Sequence, residues 1–338
     1  MSMHSDVVSE DTDQKTEKLK IGFYWAASCG GCEIAVLDIN EKILDVAAIA
    51  DIVFWPVAID IKYKDLEAMD DESIDVLFFN GGIRTSENVH LAKLLRKKSK
   101  ILVAFGSCAC EGGIPALANL TSKEEIFKTV YLDSVSTKNP DKILPRPSFT
   151  VKEGELNLPT FNTQLKTLDQ IVKVDYYLPG CPPPTSLIAN AIEAIKSGKL
   201  PPKGTILAPM TAVCSECTRE KKDKMVSEFK RIYDFEPDPN LCFLNQGIIC
   251  MGIATRSGCN AICLSANSPC TGCGGPTPDA KDQGMKMLSA IASMAGLEEE
   301  GNLSEEELQK LLDQIKDPTG SFYMYSLANS FLKRRVMK

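Results

Sequence analysis

The chain has 338 residues, a net charge of -7, and 44% hydrophobic and 25% charged residues. These proportions are ordinary for a soluble globular protein, and the length suits two domains at roughly 150 residues each. The acidic balance supplies no basic face for nucleic acid, and no apolar run reaches the roughly 18 residues that a membrane span requires.

Residues 1–18, MSMHSDVVSEDTDQKTEK, are polar and carry five acids. With no apolar h-region and no Arg-Arg pair they predict a disordered tail without an export signal, on a protein that stays in the cytoplasm. KIGFYWA (20–26) reads as a strand, SCGGC as a turn, and the amphipathic stretch from about Glu33 to Ala48 as a helix. DIVFWPVA (51–58) and IDVLFFNGG (74–82) read as buried strands, NVHLAKLLRKKS (88–99) as a helix, and KILVAFGSC (100–108) as a strand ending on a cysteine. Continuous apolar strands alternating with helices predict an α/β fold, a flavodoxin-like, doubly wound parallel sheet covered on both faces. Residues 119–170, polar and with prolines at 140, 145, 147 and 159, read as a long excursion from that sheet. VDYYLPGC (174–181) returns as its last strand. TSLIANAIEAIKSGKL then forms a helix entered through Pro182–Pro184, where the missing N–H of proline costs nothing. From about Pro201 the composition shifts to glycine, proline and cysteine, and after Pro278 helical segments follow. Among these, Ser304 with Glu307 ahead of LQKLLDQI predicts a capped helix.

Thirteen cysteines are the unusual feature. A disulfide framework does not suit a reducing compartment, and burial as small hydrophobes suits one or two thiols rather than Cys-x-x-Cys pairs set among glycines. Cys29, Cys32, Cys108 and Cys181 each follow a predicted strand. In an open α/β sheet the loops at the carboxyl ends of the strands gather at one edge, so topology alone brings these four thiols together. Four thiolates are the ligand set of a [4Fe–4S] cluster, and Gly30 and Gly31 let the first loop pass close to it. Tetrahedral zinc is the competing reading, but zinc knuckles come as two compact pairs and only one pair here is local. Cys214, Cys217, Cys242, Cys250, Cys259, Cys263, Cys270 and Cys273 would serve two further clusters, in an iron–sulfur domain that metal organises. Spacing leaves their pairing open. A zinc ribbon from Cys214, Cys217, Cys270 and Cys273 would strand the other four. Cys110 is left over and reads as a buried structural thiol. Glu33 and Glu111 flank ligand candidates; Glu33 reads as a first-turn helix acid favoured by the macrodipole rather than as a proton relay. The basic run KLLRKKSK (93–100) reads as a solvated helix face rather than a docking patch for an acidic partner.

Three motifs carry a family resemblance: Ser28-Cys29-Gly30-Gly31-Cys32-Glu33, Gly106-Ser107-Cys108-Ala109-Cys110-Glu111-Gly112-Gly113-Ile114-Pro115 and Pro179-Gly180-Cys181-Pro182-Pro183. Together they resemble the motifs of nickel–iron hydrogenase small subunits, and share much with the related 20-kDa subunit of respiratory complex I. The likeness extends over nearly all of residues 20–278. It implies that Cys29, Cys32, Cys108 and Cys181 hold a proximal cluster beside the nickel–iron centre of a separate large subunit. It further implies a medial cluster on Cys259, Cys263, Cys270 and Cys273 and a distal one on Cys214, Cys217, Cys242 and Cys250, making three [4Fe–4S] clusters. Many exported relatives have histidine at the start of the distal motif and proline for one medial ligand; here Cys214 and Cys263 stand there. FYWAASCGGCE most resembles the methyl-viologen-reducing hydrogenases that feed heterodisulfide reductase, which implies a further iron–sulfur or flavin subunit as electron partner. The paired nickel-binding Cys-x-x-Cys motifs of the large subunit are absent from this sequence, so H2 chemistry belongs to the partner chain. The expected divisions are 19–203 for the flavodoxin-like domain, 204–278 for the iron–sulfur domain and 279–338 for a C-terminal helical extension. The competing functions are a complex-I-like, quinone-reducing subunit with one cluster, and a zinc-stabilised binding module.

Overall fold

The computed structural model of the chain describes residues 18–223, 226–294 and 304–332. The polar tail expected over residues 1–18 thus lies outside the described residues except for Lys18, which pairs with Asp51 at 3.5 Å. Strand β1 (Leu19–Trp25) leads through α1 (Gly31–Leu37) and α2 (Lys42–Ile49) to β2 (Ala50–Phe54). Next come α3 (Tyr63–Ala68), β3 (Ile74–Asn80), the short β4 (Ile83–Thr85), α4 (Ser86–Lys98), β5 (Ser99–Phe105) and α5 (Ser107–Cys110). The excursion carries α6 (Lys123–Lys128), β6 (Ser148–Val151), β7 (Gly154–Asn157) and β8 (Phe161–Lys166), and β9 (Tyr176–Leu178) and α7 (Thr185–Lys196) return to the main body. Beyond it lie α8 (Ile262–Ser265), α9 (Gln283–Met294), α10 (Glu305–Leu312) and α11 (Pro318–Tyr323).

The main sheet has the order β2-β1-β3-β5-β9, and every neighbouring pair in it is parallel. This is the doubly wound, flavodoxin-like order that the alternation of apolar runs and helices predicts. Because side chains alternate across a strand, neighbours such as Phe23 and Tyr24, or Phe78 and Phe79, enter opposite layers. Phe23, Phe78 and Phe105 pack with Val36 of α1, Val46 of α2 and Ile188 of α7 on one face. Tyr24, Phe79 and Leu102 pack with Leu66 of α3 and Leu91 and Leu95 of α4 on the other. Leu77, Phe79 and Leu102 are fully buried, so truncating any of them to alanine costs about 2–5 kcal/mol. Helix α4 starts on a reciprocal cap: Asn88 N–H donates to Thr85 Oγ1 at 3.3 Å while Thr85 N–H donates to Asn88 Oδ1 at 3.1 Å.

Three local expectations change. The helix expected over Glu33–Ala48 is two short ones, parted where Asn40 takes φ 56. Asparagine is among the few residues that enter this left-handed region readily, so the amphipathic pattern continues through a real break. Strand β2 stops at Phe54, ahead of Pro56, which has no N–H to give a ladder. The excursion is not plain loop: β8 pairs antiparallel with β4, and β6 with β7 as a hairpin. The basic run 93–100 is largely neutralised by the chain's own acids. Arg96 donates to Asp175 at 2.5 Å, Lys97 and Lys98 pair with Asp71, and Lys100 pairs with Asp75.

A separate core lies under the cysteine-rich loops, where Phe243, Met251 and Leu264 pack with Met287 and Ile291 of α9 and Phe322 of α11. The two bodies are stitched at the carboxyl edge of the sheet. Ser107 Oγ donates to Cys273 O at 2.6 Å, while Ser107 N–H is held by Gly180 O of the sheet body at 2.7 Å. The capping box predicted at Ser304 is present, with Glu307 N–H on Ser304 Oγ and Ser304 N–H on Glu307 Oε2.

Candidate iron–sulfur sites

The loops that follow β1, β5 and β9 carry Cys29, Cys32, Cys108 and Cys181 to one edge of the sheet. Gly30 takes φ 81, and a Cβ on it would stand 2.8 Å from the Trp25 ring. Trp25 Nε1 donates to Ser28 O at 3.1 Å, so the ring also ties down the turn that presents Cys29. Behind the thiols the backbone comes very close. A Cβ on Gly106 would stand 2.3 Å from Cys32 Sγ, and one on Gly113 would stand 2.5 Å from Cys108 Sγ. Gly31 N–H donates to Cys29 Sγ at 3.4 Å.

The four thiols sense one another. Burial pushes Cys32 up, and Cys108, Cys181 and Cys29 add to it. Burial, with Cys181 and Cys29, pushes Cys108 up to about 12. Burial and then Cys29 raise Cys181. Thiols that oppose ionisation jointly are thiols close enough to be ionised together by a cation, since the positive charge of a metal reverses the local balance.

Several of the remaining eight thiols also have thiol neighbours. Cys214, in the turn Val213–Ser215, is pushed up to about 11 by burial and by Cys250, Cys242 and Cys217. Burial likewise raises Cys250, with Cys242 and Cys217 adding to the effect, although Cys270 N–H donates to Cys250 Sγ at 3.4 Å. Cys273 is pushed up to about 11 by burial, with Cys259, Cys181 and Cys263 as its thiol neighbours. Cys270 faces both ways, with Cys250 and Cys273 adding to the burial that raises it. A cavity of about 470 Å³ is lined by Cys181, Cys259, Cys263, Cys270 and Cys273. Cys273 thus neighbours Cys181 of the sheet edge, and Cys270 neighbours Cys250. Among the described residues no three His, Cys, Asp or Glu side chains close on a single-ion position.

One relative decides the family: over 326 residues the chain is 41% identical to an iron–sulfur subunit of F420-non-reducing hydrogenase from Archaeoglobus profundus, covering 95% of this chain and 99% of that one. The chain belongs to that family of F420-non-reducing hydrogenase subunits. A second member, from Methanothermobacter thermautotrophicus, is 38% identical over 325 residues, covering 95% of this chain and 98% of its own. Residues 29–195 match the family described as "NADH ubiquinone oxidoreductase, 20 Kd subunit". A chain of the crystal structure of an NAD+-reducing [NiFe]-hydrogenase in the H2-reduced state is 29% identical, with a TM-score of 0.47, covering 55% of this chain and 94% of that one. Both archaeal relatives are named as subunits of a hydrogenase, an oxidoreductase, and this chain is such a subunit.

The other residues singled out from the sequence of this hydrogenase subunit find distinct places. Cys110 is turned away from the quartet into the sheet core, where its thiol donates to Ala104 O at 3.3 Å. Glu33 is in the first turn of α1 but buried rather than solvated; burial raises its carboxyl against the hydrogen bond from Asn80 at 3.4 Å. Burial pushes Glu111 up to about 7, although Asn329 donates to it at 2.8 Å. Sequence reasoning passed over three residues that the fold brings to the thiols. Glu216 accepts from Gly258 N–H at 2.8 Å and Ala261 N–H at 3.3 Å, holding the Cys259 loop from within the Cys214-x-x-Cys217 knuckle. Arg219 donates to the carbonyls of Leu241 and Leu264, which adjoin Cys242 and Cys263. Tyr325 neighbours Cys181, Cys273 and Cys263, and its carbonyl accepts from Gly113 N–H at 3.0 Å. A charged residue inside or just after a Cys-x-x-Cys pair was the available signal for the first two; nothing local marks Tyr325.

Proposed function

We propose that this chain is the electron-relaying subunit of a cytoplasmic nickel–iron hydrogenase complex, holding three [4Fe–4S] clusters between a separate large subunit and a further iron–sulfur or flavin partner. The observation that carries the proposal is the run of neighbouring thiols from the sheet edge inward, with Cys181 next to Cys273 and Cys270 N–H donating to Cys250 Sγ. On this reading Cys29, Cys32, Cys108 and Cys181 hold the proximal cluster, Cys259, Cys263, Cys270 and Cys273 the medial one, and Cys214, Cys217, Cys242 and Cys250 the distal one. The donor chemistry fits: all-thiolate quartets are what such clusters take. The backbone fits too, because Gly106 and Gly113 clear space where any side chain would push a ligand sulfur aside.

When bound, the clusters would supply three successive one-electron stations. The protein's share is to orient thiolates, to exclude water from Cys32, Cys108, Cys250 and Cys270, which are buried, and to leave Cys29 exposed at the end facing a partner. In the metal-free chain burial raises Cys32, Cys108, Cys250 and Cys270, so loading releases their protons, as thiolate sites generally do. The test is anaerobic purification with whatever chain accompanies it, followed by iron, acid-labile sulfide, nickel and H2-dependent dye reduction. About twelve irons per chain with a nickel-bearing, H2-active partner supports the proposal. About four irons points to the one-cluster, complex-I-like reading, and zinc without sulfide to a binding module.

A further inference from the structure

Arg219 is 6% exposed, and each N–H direction of its guanidinium has a partner. Nε and Nη2 both donate to Leu264 O, at 3.3 and 3.0 Å. Nη1 donates to Asp238 O at 2.8 Å and to Leu241 O at 3.0 Å, and Nη2 also donates to Asn267 Oδ1 at 2.6 Å. The group lies 4.0 Å from the Phe243 ring centroid. All of these acceptors are neutral carbonyl or amide oxygens, and among the described residues no carboxylate lies within ion-pair distance of the guanidinium. The nearby carboxylate of Glu216 is engaged with the Gly258 and Ala261 N–H groups.

A guanidinium stays charged at every physiological pH, and a buried charge is costly unless something of opposite sign compensates it. The segments it ties together indicate the compensation. Arg219 itself is two residues past Cys217, Leu241 precedes Cys242, and Leu264 follows Cys263. The fork thus grips loops that carry candidate ligands of two different quartets, and it touches none of the sheet-edge quartet. A thiolate-ligated iron–sulfur cluster is anionic and becomes more so on accepting an electron, so a fixed cation close to it favours the reduced form.

We infer that Arg219 is a positioning residue shared by the medial and distal clusters, one buried positive charge that raises the reduction potentials of both while its fork holds their loops in register. The inference rests on the ligand groups proposed above. As a scale, one unit charge acting over a distance on the order of 10 Å through an effective dielectric of about 20 changes a one-electron equilibrium roughly tenfold. Tenfold for one electron is 59 mV.

The experiment is an anaerobic redox titration followed by electron paramagnetic resonance on the intact complex, comparing wild type with R219Q, R219K and N267D. R219Q removes the charge. N267D places a carboxylate where the amide oxygen accepts at 2.6 Å, cancelling the charge while leaving the fork; Asn267 has φ 54, which aspartate also tolerates. Both are expected to lower the two far-cluster equilibria about tenfold each and to leave the sheet-edge signal unmoved, whereas R219K is expected to keep the wild-type midpoints. N267D carries the test if R219Q loses iron. Unmoved midpoints in iron-replete N267D or R219Q, movement of only one of the two far signals, or a shift in R219K as large as in R219Q would overturn the inference. A wild-type complex without about twelve irons per chain would instead overturn the cluster assignment itself, so the two failures are distinguishable.

Discussion

Gly106→Ala isolates the sheet-edge site from the rest of the chain. Gly106 has φ 84 and ψ 162, a region that essentially only glycine occupies, so alanine there costs about 1–3 kcal/mol in backbone strain. The larger effect is steric. The new methyl would stand 2.3 Å from Cys32 Sγ, against an ordinary contact of about 3.5–4.0 Å, so the sulfur must retreat by more than about 1 Å. Metal sites tolerate ligand distances only within about 0.2 Å, and Cys32 is 7% exposed with little room to retreat. The variant is therefore expected to fold and to lose the sheet-edge cluster alone, retaining about eight of twelve irons and two of three paramagnetic signals. Gly204→Ala is the matched control: Gly204 has φ 93 but nothing within 4 Å of a Cβ, so it should cost about 1–2 kcal/mol of stability and no iron. Full iron and an unaltered sheet-edge signal in Gly106→Ala would refute the reasoning.

Three other outcomes follow from the same geometry. Cys110→Ala should keep the full complement of iron and lose about 1 kcal/mol in chemical denaturation, because its thiol serves the core and Ala104 O rather than a cluster. Glu216→Gln should loosen the Cys259 loop, seen as faster loss of the medial signal under chelator, because an amide oxygen holds the Gly258 and Ala261 N–H groups less strongly than a carboxylate. Asp175→Asn should cost about 1–3 kcal/mol at neutral pH. Burial works to raise the Asp175 carboxyl, but Lys203, Leu102 N–H and Arg96 outweigh it and hold it below the ordinary carboxylate value. Its contribution is thus complete above the unfolded value of about 3.9 and is lost as the pH falls through the lower folded value. Denaturation midpoints of wild type and variant should accordingly draw together on acidification and stay apart above about pH 5.

Much of the candidate site was legible because its logic is topological. Cys29, Cys108 and Cys181 each follow an apolar run, and parallel strands must deliver such loops to a common edge. The basic run 93–100, read as a solvated helix face, instead pairs with Asp71, Asp75 and Asp175 from elsewhere in the chain, and Lys98 is buried. The two helices written as one at Glu33–Ala48 were not legible, since the apolar spacing survives across Asn40 and only its backbone conformation reports the break. The strands of the excursion escaped because they are short and exposed, and a four-residue run such as Ser148–Val151 carries too few alternations to show a period.

By itself the sequence determined what repeats locally or follows from chain order: the doubly wound sheet, the thiol supply, the gathering of four cysteines at one edge. Only the tertiary structure decided that Cys270 lies toward Cys250 while Cys273 lies toward Cys181, that Arg219 ties Leu264 to Leu241, and that Tyr325 neighbours Cys181, Cys263 and Cys273. The physical reason is that loops rich in glycine and proline have no period to encode their neighbours. Their partners are chosen by hydrogen bonds and burial between segments far apart in the chain, and those exist only once it has folded.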